Sequence, residues 1–172
     1  MTDPDQPAQT LAGLVEEVGG IDAMRGMFGA APLQRFLGME LLEASATRVV
    51  ITMPVANNAM NSAGNLHGGA LATLVDVTAG TAAALGSGFR PGLETIVTAD
   101  LHVRYLGRPR TDVVRAEASV LRAGRQLVVV ECRVLDGEDR VLVAADFSSM
   151  IVPLRQPLAA AGGTGSGSVP DL

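Results

Sequence analysis

The chain has 172 residues, a net charge of −5 and a pI near 4.9, and 48% of its residues are hydrophobic at a mean hydropathy of +0.31. That length builds one domain with a sizeable core, and the acidic balance argues against a general nucleic-acid binder, which needs a basic footprint. High apolar content beside 18% charged residues points to a surface partly buried against a partner subunit.

The opening "MTDPDQPAQT" is polar and acidic, unlike a signal peptide. No run offers the ~20 uninterrupted apolar residues of a membrane span, so no membrane partner and a cytoplasmic location are expected. Residues 1–30 read as a partly helical N-terminal extension. Leu11, Leu14, Val15 and Val18 share a helix face, with Thr10 as N-cap and Gly19-Gly20 as the stop. "IDAMRGMFGA" is ambiguous, because two interior glycines weaken a helix. A short helix from Pro32 to Gly38 should carry Leu33, Phe36 and Leu37 inward.

Residues 31–154 hold the main domain. Residues 40–55 read as one long strand with Val49, Ile51 and Met53 on one face. The asparagine-rich loop "ANNAMNSAGN" follows, then an apolar helix from about Gly68 to Leu85, ended by "GSGFRPG". In residues 94–106 the odd positions are largely apolar, while Thr98, Asp100, His102 and Arg104 form a polar face. Strands over 113–122, 127–135 and 140–152 complete a four-stranded meander, with Asp136-Gly137 as a hairpin signal. The Gly/Ser-rich tail, 155–172, should be disordered. A helix apolar nearly all round cannot face water, so the fold class is α+β, an antiparallel β-sheet wrapped around a long central α-helix.

Inside that helix stands one acid. Asp76 shares a face with the small residues Ala72, Thr73, Ala79, Gly80 and Ala83, while Leu71, Leu74, Val75, Thr78, Ala82 and Leu85 suit packing on a sheet. A lone buried aspartate is ordinarily a satisfied structural acid. Here the helix also opens with His67-Gly68-Gly69, whose bare backbone N–H groups sit at the positive end of the helix dipole and suit an oxyanion. Nine residues of helix separate His67 from Asp76, about 13 Å at 1.5 Å per residue. A base and an oxyanion donor must both lie within about 3 Å of the reacting groups. One helix cannot supply both to one site, but two antiparallel helices across a two-fold axis can. An enzyme built this way is an obligate dimer with two shared sites.

"NSAGNLHGGALATLVDVTAG", "TADLHVRYLGRP" and "AGRQLVVVECRVLDGEDRVLVAADFS" resemble the hotdog-fold acyl-CoA thioesterases of the phenylacetic-acid-degradation (PaaI-like) and THEM2-like group, over about residues 32–153. The resemblance implies Asp76 as general base or nucleophile, Gly68 N–H as the donor to the thioester carbonyl and His67 shaping that loop. It also implies Asn61 orienting water or carbonyl, Thr98 positioning water, and Gly69 beside the substrate. Arg108, Arg110, Arg122 and Arg125, at turns and strand ends, are candidates for coenzyme A phosphates, although turn arginines are usually just solvated. It implies no cofactor, coenzyme A being part of the substrate, and a dimer or dimer of dimers. Two histidines on separate elements and one cysteine make no metal cluster.

Simpler roles stand beside these. His67 can be a plain helix cap, Asn61 a turn former, and His102 part of a solvated strand face. Cys132 reads as a buried reduced thiol. Two alternatives to hydrolysis remain. One is a non-catalytic acyl-CoA-binding dimer. The other is a hydratase or dehydratase of the same fold, disfavoured because an Asp-x-Asn-Pro-x-His signature is absent.

Overall fold

The computed structural model describes residues 9–154; the tail expected to be disordered lies outside the described residues. Helix α1, Leu11–Glu17, starts where Thr10 Oγ1 accepts the Gly13 N–H at 3.3 Å. The ambiguous segment is a second helix, α2, Gly20–Ala30. Tertiary contact offsets its weak propensity: Arg25 donates to the Leu41 and Leu42 carbonyls at 3.0 and 2.8 Å. α3, Pro32–Leu37, has proline in its first turn and ends at Gly38 with φ +65°. Of its three apolar residues only Leu37 is buried, while Leu33 and Phe36 are 49% and 62% exposed. A helix of under two turns buries little more than one position against the domain.

The expected first strand is two strands, β1 (Glu40–Ala44) and β2 (Arg48–Pro54), paired antiparallel. Ser45 makes the turn, its Oγ accepting the Thr47 and Arg48 N–H groups at 3.4 and 3.0 Å. β2 buries Val49, Ile51 and Met53 completely.

Helix α4 (Gly68–Gly86) follows, then β3 (Glu94–Tyr105), β4 (Val113–Ala123), β5 (Leu127–Asp136) and β6 (Val141–Pro153). The sheet order is β1-β2-β4-β5-β6-β3. The four-stranded meander is therefore corrected. β4, β5 and β6 are consecutive, but β3 sits at the far edge beside β6 and β4 returns to pair with β2. The apolar helix needs several strands beneath it, so the chain crosses the inner face on α4, and β4 to β6 fill the gap between β2 and β3.

α4 buries nine residues, among them Leu71, Leu74, Val75, Thr78, Ala82 and Leu85 of the expected sheet-packing face. Ala79 and Ala83 are also fully buried. The face around Asp76 is thus narrower than the helical wheel suggested, with Ala72, Thr73 and Gly80 half-buried. By length and composition alone this 19-residue helix is apolar enough to cross a membrane, although Asp76 interrupts its apolar run. In this fold its apolar surface packs on the sheet. The outer sheet face carries cross-strand ion pairs instead, Arg48 bridging Glu43 and Glu117 at 3.0 and 3.1 Å.

The helix C-terminus is held by close approach. A Cβ on Gly86 would lie 2.4 Å from the Ala46 carbonyl oxygen and 2.8 Å from Val120 Cγ2. Gly86→Ala should therefore cost about 1–3 kcal/mol or more of stability, as overpacking does, and urea denaturation measures it. Unchanged stability would show that the β1–β2 turn does not press on the helix.

Candidate active site

The site forms where α4 passes the edge strand β3. Thr98 Oγ1 donates to Asp76 Oδ1 at 2.9 Å. Sequence alternation had placed Thr98 on the outer polar face, and the structure corrects this. The β3–β6 register shifts between Thr98 and Asp100, and such a β-bulge switches the faces of the residues beyond it. Ile96 and Thr98 before the bulge, and Leu101, Val103 and Tyr105 after it, all pair with inward-facing residues of β6. His102 stays on the outer face, its Nδ1 3.9 Å from Asp146.

A cleft of about 360 Å³ opens beside Asp76, lined by Gly80 and Ala84 of α4, Ile96 and Thr98 of β3, and Phe147 and Ser149 of β6. Asp76 is half-buried there, and among the described residues its Oδ2 has no hydrogen-bond partner. Ser149 was missed by sequence reading. It pairs with Thr98 across the ladder and is 1% exposed, and its hydroxyl has no partner among the described residues. An unsatisfied buried hydroxyl costs about 1–3 kcal/mol, which a bound water or ligand would offset. The inward alternation of Phe147, Ser149 and Ile151 was its available signal.

His67 caps α4, its Nδ1 accepting the Gly69 N–H at 2.8 Å. A Cβ on Gly69 would lie 3.0 Å from that Nδ1, so the second glycine lets the imidazole fold onto the helix end. The Gly69 N–H is consequently occupied by the cap. The Gly68 N–H meets no acceptor among the described residues, and the Gly68 carbonyl accepts from Tyr105 at 3.0 Å. Asn61 Oδ1 accepts the Ala63 and Asn65 N–H groups at 3.0 and 3.1 Å. This is the turn-former geometry, and it leaves the amide nitrogen as the group able to reach outward.

The arginines do not converge. Arg108 is exposed in the loop after β3, at the Gly68 end of α4, whereas Arg122 and Arg125 are exposed at the β4–β5 turn. Among the described residues no three His, Cys, Asp or Glu side chains are grouped to hold a metal. Cys132 is fully buried, and burial pushes its thiol up to about 12, with Glu117 and Glu131 adding to the effect. The folded state therefore holds this proton more tightly than the unfolded state does. Its contribution is complete below the unfolded thiol value near 9 and is lost as pH rises toward 12. Native protein should resist thiol-alkylating reagents at neutral pH while urea-unfolded protein reacts; rapid native labelling would contradict the burial.

Residues 63–143 match the model of the Thioesterase superfamily. A protein of Halobacterium salinarum named "Putative esterase" is 36% identical over 110 residues, which cover 62% of this chain and 72% of that one. The chain belongs to the thioesterase superfamily. A Haemophilus influenzae thioesterase superposes with a TM-score of 0.70 at 22% identity, covering 78% of this chain and 92% of its own. Zebrafish thioesterase superfamily member 2 superposes at 0.65 with 24% identity, covering 75% and 96%. The six-stranded sheet with its single long packed helix is thus the hotdog fold of this superfamily. The span matching the thioesterase superfamily contains His67, Gly68, Asp76, Thr98 and Tyr105, and excludes α1 to α3 and Ser149.

Proposed function

We propose that this protein hydrolyses acyl-CoA thioesters to a free acid and coenzyme A, in a site shared by two subunits. The observation that carries the reading is the Asp76 carboxylate, held by Thr98 through one oxygen and open to the cleft through the other. In the proposed reaction Asp76 takes a proton from water as that water attacks the thioester carbonyl. The tetrahedral oxyanion accepts a hydrogen bond from a Gly68 N–H at a helix N-terminus. Collapse breaks the carbon–sulfur bond, and the proton held by Asp76 passes to the departing thiolate.

Gly68 and Asp76 of one helix stand about 12 Å apart along its axis, so the two groups must come from different subunits. The edge strand supports this. β3 is 12 residues long with β6 on one side and no strand on the other among the described residues, and such an open edge invites pairing. Tyr105 contacts the Gly68 end of α4 and Thr98 contacts Asp76. An antiparallel pairing of two β3 strands centred between those positions brings Gly68 of the partner subunit toward Asp76, and the partner subunit's Arg108 with it, to the side where coenzyme A phosphates would enter. Thiol release across acetyl, phenylacetyl and long-chain acyl-CoAs tests the reading. Release from none of them, by protein that binds them, would favour the non-catalytic acyl-CoA-binding dimer.

A further inference from the structure

Part of the cleft lining comes from N-terminal helices outside the segment matching the family. Besides α4 from Asp76 through Gly80 to Ala84, the cleft is lined by Leu11 of α1, Met24 of α2 and Gln34 of α3. α1 and α2 are fixed in place. The Leu11 N–H donates to the Phe89 carbonyl at 2.9 Å, just beyond the end of α4, and Arg25 ties α2 to β1. Gly80 leaves the middle of the cleft open, a Cβ there lying 4.0 Å from Phe147 Cζ.

We propose that α1 and α2 set the acyl selectivity of this site, with Leu11 and Met24 as the stop that limits it to acyl chains of up to about ten carbons or a single ring. This rests on the thioesterase reading above and extends it to a substrate class. Three observations argue for it. The lining beyond Asp76 is mostly apolar, as an acyl group requires. From Asp76 to Ala84 is about 12 Å at 1.5 Å per residue, room for one ring or about ten carbons of extended chain at about 1.2 Å per bond. The cleft is also at the small end of ligand sites, which run about 300–1,000 Å³.

The test is calorimetric binding of non-hydrolysable alkyl-CoA thioethers, from ethyl to hexadecyl, to the full chain, with hydrolysis of the matching thioesters followed separately. Affinity should rise about fourfold per buried methylene, peak at or below decyl, and fall for longer chains. Leu11→Ala with Met24→Ala should move the optimum at least two carbons longer. Met24→Phe, which fills the end and keeps the helices docked, should move it shorter. An affinity that climbs unbroken to hexadecyl, the same optimum in all three proteins, or no thioether binding would overturn the proposal. Shifted optima without any thioester hydrolysis would instead leave the selectivity wall standing and sink the thioesterase reading.

Discussion

Asp76→Ala is expected to lower thioester hydrolysis by about 10²–10⁴-fold, the range a positioned general base contributes, while the protein stays folded. Asp76 is half-buried and its side chain is held by Thr98, so truncation removes the proton acceptor without opening the fully buried face of α4. Asp76→Asn keeps the shape and the contact with Thr98 but cannot take a proton, so it should lose as much activity as the alanine variant. Steady-state thiol release measures both. Hydrolysis at the wild-type rate by either variant would refute the role of the carboxylate. In a single turnover in heavy-oxygen water, protein oxygen in the product acid would show acyl transfer to Asp76 followed by water attack on the aspartyl carbon, whereas base catalysis puts solvent oxygen there.

The second large effect concerns the other end of the helix. Gly68 is the first residue of α4 and follows His67 in extended conformation, φ −68° and ψ 134°. Proline suits both circumstances, since it is favoured at a first helical position and requires an extended residue before it. Gly68→Pro therefore deletes the proposed oxyanion donor with little cost to the helix. The expected loss is about 10²–10³-fold in kcat, and Gly68→Ala, which keeps the N–H and places its Cβ at an ordinary 3.5 Å from the Tyr105 ring, should retain most activity. Co-expressing Gly68→Pro with Asp76→Ala tests the shared site directly. Half of a random mixture of dimers pairs the two variants, and each such dimer holds one intact site of two, so about a quarter of wild-type activity should return. Two inactive proteins whose mixture stays inactive, despite demonstrated subunit exchange, would refute the shared site.

Much of the candidate site was legible because it is local. The spacing of His67, Gly68 and Asp76 on one helix follows from the 3.6-residue period, and the apolar sheet-packing face of α4 was readable residue by residue. The hairpin at Asp136 was visible too. There the buried carboxylate accepts the Arg110, Glu138 and Arg140 N–H groups. Burial works to raise it, but those bonds and the Arg140 guanidinium hold it below the usual carboxylate range.

Other features were not legible because they depend on residues far apart in the chain. A bulge between Thr98 and Asp100 turns Thr98 toward Asp76, and its register exists only against β6. The far-edge position of β3 follows from where a long helix can cross the sheet, which no local pattern encodes. Ser149 looked like any serine of an alternating strand until its ladder partner was known.

The amino-acid sequence alone therefore determined the amphipathic elements, the helix that carries the glycine N–H and the acid, and the distance that forbids them from serving one site within one chain. Periodicity and rise per residue are properties of the local backbone. The tertiary structure decided which strand meets that helix, which hydroxyl meets the acid, and that N-terminal helices contribute to the cleft lining. Those outcomes depend on sheet order and register, which long-range burial selects.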